Sequence, residues 1–185
     1  VIKRITFDTP VGDNPDARRV VVCTVLPEFT PHAPYRILTI EWFADDGRPD
    51  PAGGVLAEEV VVRGVDWLAG RWRDGRSRLK HVALAERADG LTAAEFALRW
   101  REHAGRYRRP GESVATEIPE LARGCAYVQN HPLPGVEQRY DAVTEVWFDD
   151  LAGLEARIAH FGTAAPADGL FGTSTFLAVR EDVVR

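Results

Sequence analysis

A chain of 185 residues with a hydrophobic fraction of 45 % is long enough for one large or two small packed units. Charged residues make up 28 % and the formal net charge is −5, so no basic excess exists to hold phosphates, and nucleic acid is not an expected partner. The apolar runs are far shorter than the ~20 residues of a membrane span, and no basic-then-apolar leader opens the chain, so the expected setting is cytoplasmic.

Ile2–Thr9 reads as a first strand. Arg18–Phe43 reads as a strand pair, and Arg48–Gly54, with two Pro and two Gly, is too broken for a helix. Glu58–Trp67 would supply the next strand, and Leu79–Glu86 (LKHVALAE) alternates as a strand does. Thr92 and Glu95 fit a capping box with Leu91 and Phe96 as its hydrophobic staple. Phe96, Trp100, His103 and Tyr107 then share one face of a helix that should stop near Gly105. Arg108–Glu120, rich in Gly, Pro and charge, reads as a loop. Gly124–His131 and Tyr140–Phe148 read as strands joined by a turn-rich segment. Asp149 or Asp150 caps a helix carrying Leu151, Leu154, Ile158 and Phe161 on one face, ending at Gly162, and Thr173–Arg180 is the last strand.

The elements from about Leu79 to Val184 spell β-α-β-β-α-β, the order of a ferredoxin-like α+β unit with both helices on one face of a four-stranded sheet. Arg18–Phe43 aligns without gaps on Arg123–Phe148 at a constant offset of 105, pairing Tyr35 with Tyr140, Trp42 with Trp147 and Phe43 with Phe148. That repeat predicts a degenerate upstream half over 1–78 and a complete half over 79–185.

The runs LTAAEFALRWREHAGRY, YVQNHPLPG and YDAVTEVWFDDLAGLEARI resemble the EthD family of dimeric α/β-barrel proteins. That family shows a helix with an acidic residue, Phe, Trp and His, a strand ending in Asn-His, and a Tyr-Asp strand carrying Glu and Trp-Phe. The resemblance covers about 100 residues and implies two ferredoxin-like sheets packed face to face, here as a tandem, pseudo-dimeric barrel within one chain. A further homodimer over the bare surface is left open. Upstream, Val25 and Leu26 replace Asn130 and His131, and Ile40 replaces Glu145, so any polar pocket should belong to the downstream half.

Candidate chemistry therefore gathers between Phe96 and Trp147. His103 shares the helix face of Phe96 and Trp100; it is either a core histidine or a proton carrier, its ordinary pKa of ~6.5 suiting the second role. Asn130 and His131 end a strand, where turn chemistry and a place at the mouth of a pocket are both open readings. Asp141, Val143, Glu145 and Trp147 share one strand face. Two carboxylates there call either for pairing with Arg123 or Arg157, or for a polar patch in which Glu145 has a raised pKa and acts as a base. Tyr127 shares the face of Gln129 and His131 and would donate to a developing enolate. Trp100, Trp147, Phe96 and Tyr107 would line the substrate, with Asn130 and Asp141 binding it. His32, His81 and His160 carry no such expectation.

Cys23 and Cys125 are far apart and no zinc-ligand spacing or phosphate-binding loop is present, so neither metal nor cofactor is expected. Only Lys3 and Lys80 are lysines, and the Arg-rich composition suits a GC-rich, actinomycete-like genome. The resemblance implies cofactor-free lyase or cyclase chemistry on a hydrophobic, aromatic or polyketide-like small molecule of secondary metabolism: cyclisation, dehydration, decarboxylation or isomerisation. His103 and His131 would move protons, with Asn130, Tyr127 and Glu145 in support. A cofactor-independent phenol or anthrone monooxygenase and a non-catalytic ligand-binding protein are the alternatives.

Overall fold

A computed structural model describes residues 1–12, 14–44, 49–51, 53–74, 76–103, 118–162 and 169–185, with the side chain of His103 outside the description. The strands are β1 (Ile2–Phe7), β2 (Arg19–Val25), β3 (Ile37–Phe43), β4 (Val55–Arg63), β5 (Arg78–Arg87), β6 (Ala126–Pro132), β7 (Ala142–Phe148) and β8 (Phe171–Val183). The helices are α1 (Val65–Asp74), α2 (Ala93–His103), the single turn α3 (Glu120–Arg123) and α4 (Leu151–Gly162).

The expectation of a ferredoxin-like α+β dimeric α/β barrel is corrected. The eight strands form one closed antiparallel barrel in the order β1-β3-β2-β8-β5-β7-β6-β4, and the described residues are mostly sheet with few helices. Two sheets laid face to face would each keep two free edges. Instead, β2 pairs with β8 and β4 pairs with β6, so every edge is consumed by closure. Among the described residues no helix follows β1 or β3. The strand order β4-β1-β3-β2 recurs as β8-β5-β7-β6, and the hairpins β2–β3 and β6–β7 hold equivalent places.

A second correction concerns Glu58–Trp67. The strand ends at Arg63, Gly64 turns the chain at φ +83°, and a helix begins at Val65. A Cβ on Gly64 would lie 2.4 Å from the Cys125 carbonyl oxygen, so the turn is packed too tightly for a side chain. Asp66 in the first turn and Arg71 and Arg73 in the last suit the helix dipole. This helix seals one end of the barrel: Leu68 packs with Ala126, Val128 and Trp147, and Trp72 meets Trp42 edge-on at 5.2 Å. Tyr35 and Tyr140, equivalent in the repeat, share a hydrogen bond of 2.6 Å beside Phe7, which stacks on Tyr35 at 4.5 Å. Ile5, Cys23, Leu38, Ile40, Leu84, Val143 and Leu177 belong to the apolar core between.

On the outer face, α2 and α4 cover separate rows of the downstream sheet. Thr92 and Glu95 form the capping box, with the Glu95 amide donating to Thr92 Oγ1 at 3.2 Å and the Thr92 amide donating to Glu95 Oε2 at 2.9 Å. Phe96 and Trp100 then pack on Ala85 and Ala142. Leu154 of α4 packs with Tyr127, Val146, Phe148 and Ala178. Gly105 and Tyr107 lie outside the described residues. No helix among the described residues is long and apolar enough to cross a membrane.

Candidate functional site

Side chains alternate across a strand, so neighbours in sequence point to opposite faces. Asn130 and His131 are thereby separated. Asn130, Glu145 and Trp147 face the lumen, while Tyr127, Gln129 and His131 lie on the outer side beneath α2 and α4. Asn130 and Glu145 therefore share the lumen, and His131 stands on the other side of the sheet.

In the lumen, charges alternate along a continuous chain. Arg71 of α1 pairs with Glu181, whose other oxygen accepts from Lys80 Nζ at 2.6 Å. Lys80 also reaches Glu145 Oε2 at 2.6 Å, and Lys3 reaches Glu145 Oε1 at 2.6 Å and Glu59 at 2.5 Å. The indole of Trp42 donates to Glu59 at 3.1 Å, and that of Trp147 to Glu181 at 3.3 Å. Asn130 Nδ2 donates to Glu145 Oε1 at 2.9 Å and to the Val143 carbonyl at 3.2 Å. Three cations thus face three anions, which is what lets six charges be buried together. Burial alone would raise the Glu145 pKa, but Lys3 and Lys80 outweigh it and hold the carboxyl well below its usual range. The expectation of a raised pKa, and of Arg123 or Arg157 as its partner, is corrected: Glu145 is a locked counter-ion.

The outer face differs. Tyr127, Gln129 and His131 follow one another along β6, and all are nearly inaccessible. Gln129 Nε2 donates to the Trp100 carbonyl at 3.2 Å and to Tyr127 Oη at 3.3 Å, and its Oε1 meets His131 Nε2 at 3.1 Å. The His131 ring lies against Trp100 with centroids 4.3 Å apart. Burial, with Arg101 adding to it and Glu58 opposing, pushes His131 down to about 4, so the imidazole is neutral near pH 7. Burial raises the Tyr127 phenol, which keeps its proton.

Between the rows under α2 and α4 runs a row that the two helices meet only at its ends, Trp100 over Gln129 and Phe161 beside Phe176. Phe176, Ala83, Thr144 and Gln129 lie side by side across β8, β5, β7 and β6. Ala83 and Thr144 are half-buried and Phe176 is 38 % exposed. One row along, His81 is stacked near Phe176 and Phe161 at 5.3 and 6.3 Å, and burial reinforced by Arg157 drives its pKa down to about 3.

Of the residues singled out in the sequence, Phe96, Trp100, Tyr127 and His131 are brought together on this outer face. His103 ends α2, but its side chain lies outside the description, as does all of Tyr107. Asp141 sits at the rim, accepting from the Arg87 amide at 2.9 Å and paired with its guanidinium. Sequence reasoning missed Lys3, Lys80, Arg71, His81 and the part played by Gln129. Two lysines in an Arg-rich chain, both at lumen-facing strand positions, were a usable signal. Arg71 was hidden by reading its neighbourhood as a strand end. Among the described residues no group of three or more His, Cys, Asp or Glu is placed to hold a metal ion. No family model, curated protein or solved structure matches this chain.

Proposed function

We propose that this protein is a cofactor-free acid–base enzyme, of the lyase or cyclase type, related to the EthD family and acting on a hydrophobic aromatic or polyketide-like small molecule. The observation that carries the reading is His131: a neutral imidazole with Nε2 engaged by Gln129 and Nδ1 without a hydrogen-bond partner among the described residues. Its bare lone pair is the group that would accept a proton from a substrate carbon or hydroxyl, as a weaker base than a free imidazole. With its low affinity for that proton it also returns it readily, as dehydration and isomerisation require. Tyr127 Oη, already accepting from Gln129, retains its own hydrogen to donate toward an oxygen gaining negative charge. Trp100 and Phe96, stacked at 5.9 Å, offer flat apolar surface beside it. Glu145 has no part in the step.

The same depressed basicity favours a second reading, a non-catalytic binder of the same class of molecule. The experiment that separates them presents a panel of phenolic, anthrone and poly-β-ketone compounds with and without oxygen, following ligand binding by Trp fluorescence and product by chromatography. Oxygen-independent turnover that drops by a factor of ~10²–10⁴ in His131→Gln supports the enzyme reading. Turnover that survives His131→Gln contradicts it. Binding without product favours the carrier, and turnover that consumes oxygen favours a monooxygenase.

A further inference from the structure

Gln129 has no charge and no chemistry of its own, yet it makes three hydrogen bonds from a buried position. Its amide has a donor end and an acceptor end, and the surroundings decide which faces which way. The Trp100 carbonyl can only accept. The nitrogen of Gln129 must therefore point to α2, where it also reaches Tyr127 Oη. The oxygen is left to face His131 Nε2, and an acceptor in that place selects the imidazole tautomer with hydrogen on Nε2. The bare lone pair then belongs to Nδ1.

We propose that Gln129 is a positioning residue: its amide nitrogen is held by the Trp100 carbonyl of α2, and its oxygen thereby fixes His131 as the Nε2–H tautomer with Nδ1 as the proton acceptor. The role rests on the reading of His131 as the base, but the tautomer itself does not. The arrangement makes the tautomer report on the helix. If α2 moved its Trp100 carbonyl away, the amide would be free to turn over, and His131 Nε2 would then meet an N–H instead of an oxygen. The lone pair would then sit on Nε2, engaged by the Gln129 N–H, and Nδ1 would carry the hydrogen, leaving the ring without a bare acceptor.

The test is ring ¹⁵N spectroscopy on histidine-labelled protein in the resting state with no ligand added, His131 being identified by the signals lost in His131→Gln. The expected pattern for His131 is a protonated Nε2 and a bare Nδ1. In Gln129→Leu neither nitrogen is selected, and the two ring signals move toward each other as the tautomers mix. In Gln129→Glu the carboxylate still accepts from Nε2, so the tautomer is kept while the pKa of His131 rises. A wild-type His131 with hydrogen on Nδ1, or a Gln129→Leu spectrum unchanged at His131, overturns the proposal. Should Gln129→Leu not fold, Gln129→Glu decides: the retained tautomer with a raised pKa supports the proposal, and an Nδ1–H pattern overturns it. Because no substrate enters the experiment, a protein that turns nothing over can still show the fixed tautomer, and an active one can lack it.

Discussion

Strands β6 and β7 carry two buried polar systems on opposite faces, and the two obey different rules. The lumen face holds full charges, each answered by an opposite charge within 2.6 Å. The outer face holds neutral groups, with an imidazole nitrogen and a phenol hydrogen left unengaged among the described residues. The lumen charges are all answered, although Asn130 Oδ1 and Arg71 Nε there have no hydrogen-bond partner among the described residues. The comparison sets an ion-paired lumen against a neutral outer face, and it can be broken from either side.

The largest effect should come from the lumen. Lys80→Met removes the cation shared by Glu145 and Glu181 and leaves buried carboxylates short of a partner, so it should cost about 3–5 kcal/mol of unfolding free energy, read by denaturant titration. A loss under ~1 kcal/mol would show that the chain of charges does not hold the barrel.

The next effect is acid sensitivity from the outer face. His81 and His131 have folded pKa values near 3 and 4, below the ordinary 6.5. The unfolded chain therefore binds protons first as pH falls, and stability is lost progressively below ~6.5, through about 4 for His131 and 3 for His81. Glu145 acts at lower pH: its depressed pKa stabilises the fold above the ~4.3 of a free glutamate and fails as pH drops below that. His81→Phe should flatten the limb between pH 6.5 and 4 in urea unfolding measured across pH. An unchanged slope would mean that His81 is not held neutral by the fold.

A smaller effect tests whether α2 is placed by its own start signal. Thr92→Ala removes one arm of the capping box and should cost about 1 kcal/mol, seen as a lowered thermal midpoint. The smallest should be His131→Gln, which keeps polarity and bulk and should change stability by less than ~1 kcal/mol.

Much of this was legible in the sequence. The alternation of Leu79–Glu86 and Tyr140–Phe148, the capping box at Thr92 and the apolar stripe of Leu151–Phe161 all mark elements that the structure contains. Closure into one barrel was not legible, because strand edges carry no side-chain signal for which edge they will meet. Nor was the helix at Val65, where one glycine at positive φ redirects a run that reads as strand. For the candidate site, residue types were grouped by their nearness along the chain, and the pleat does not keep those groups together. Asn130 and His131 look like a pair along the chain, and the pleat puts them on opposite faces. Glu145 looked like a base because its partners, Lys3 and Lys80, lie 142 and 65 positions away.

The division between the two faces is tested most directly by denaturant unfolding of Glu145→Gln beside His131→Gln. Glu145→Gln should lose several kcal/mol, because both lysines are left buried with one shared counter-ion fewer, while His131→Gln should stay within ~1 kcal/mol of the parent. A Glu145→Gln protein as stable as the parent, or a His131→Gln protein that loses more than Glu145→Gln, would contradict it.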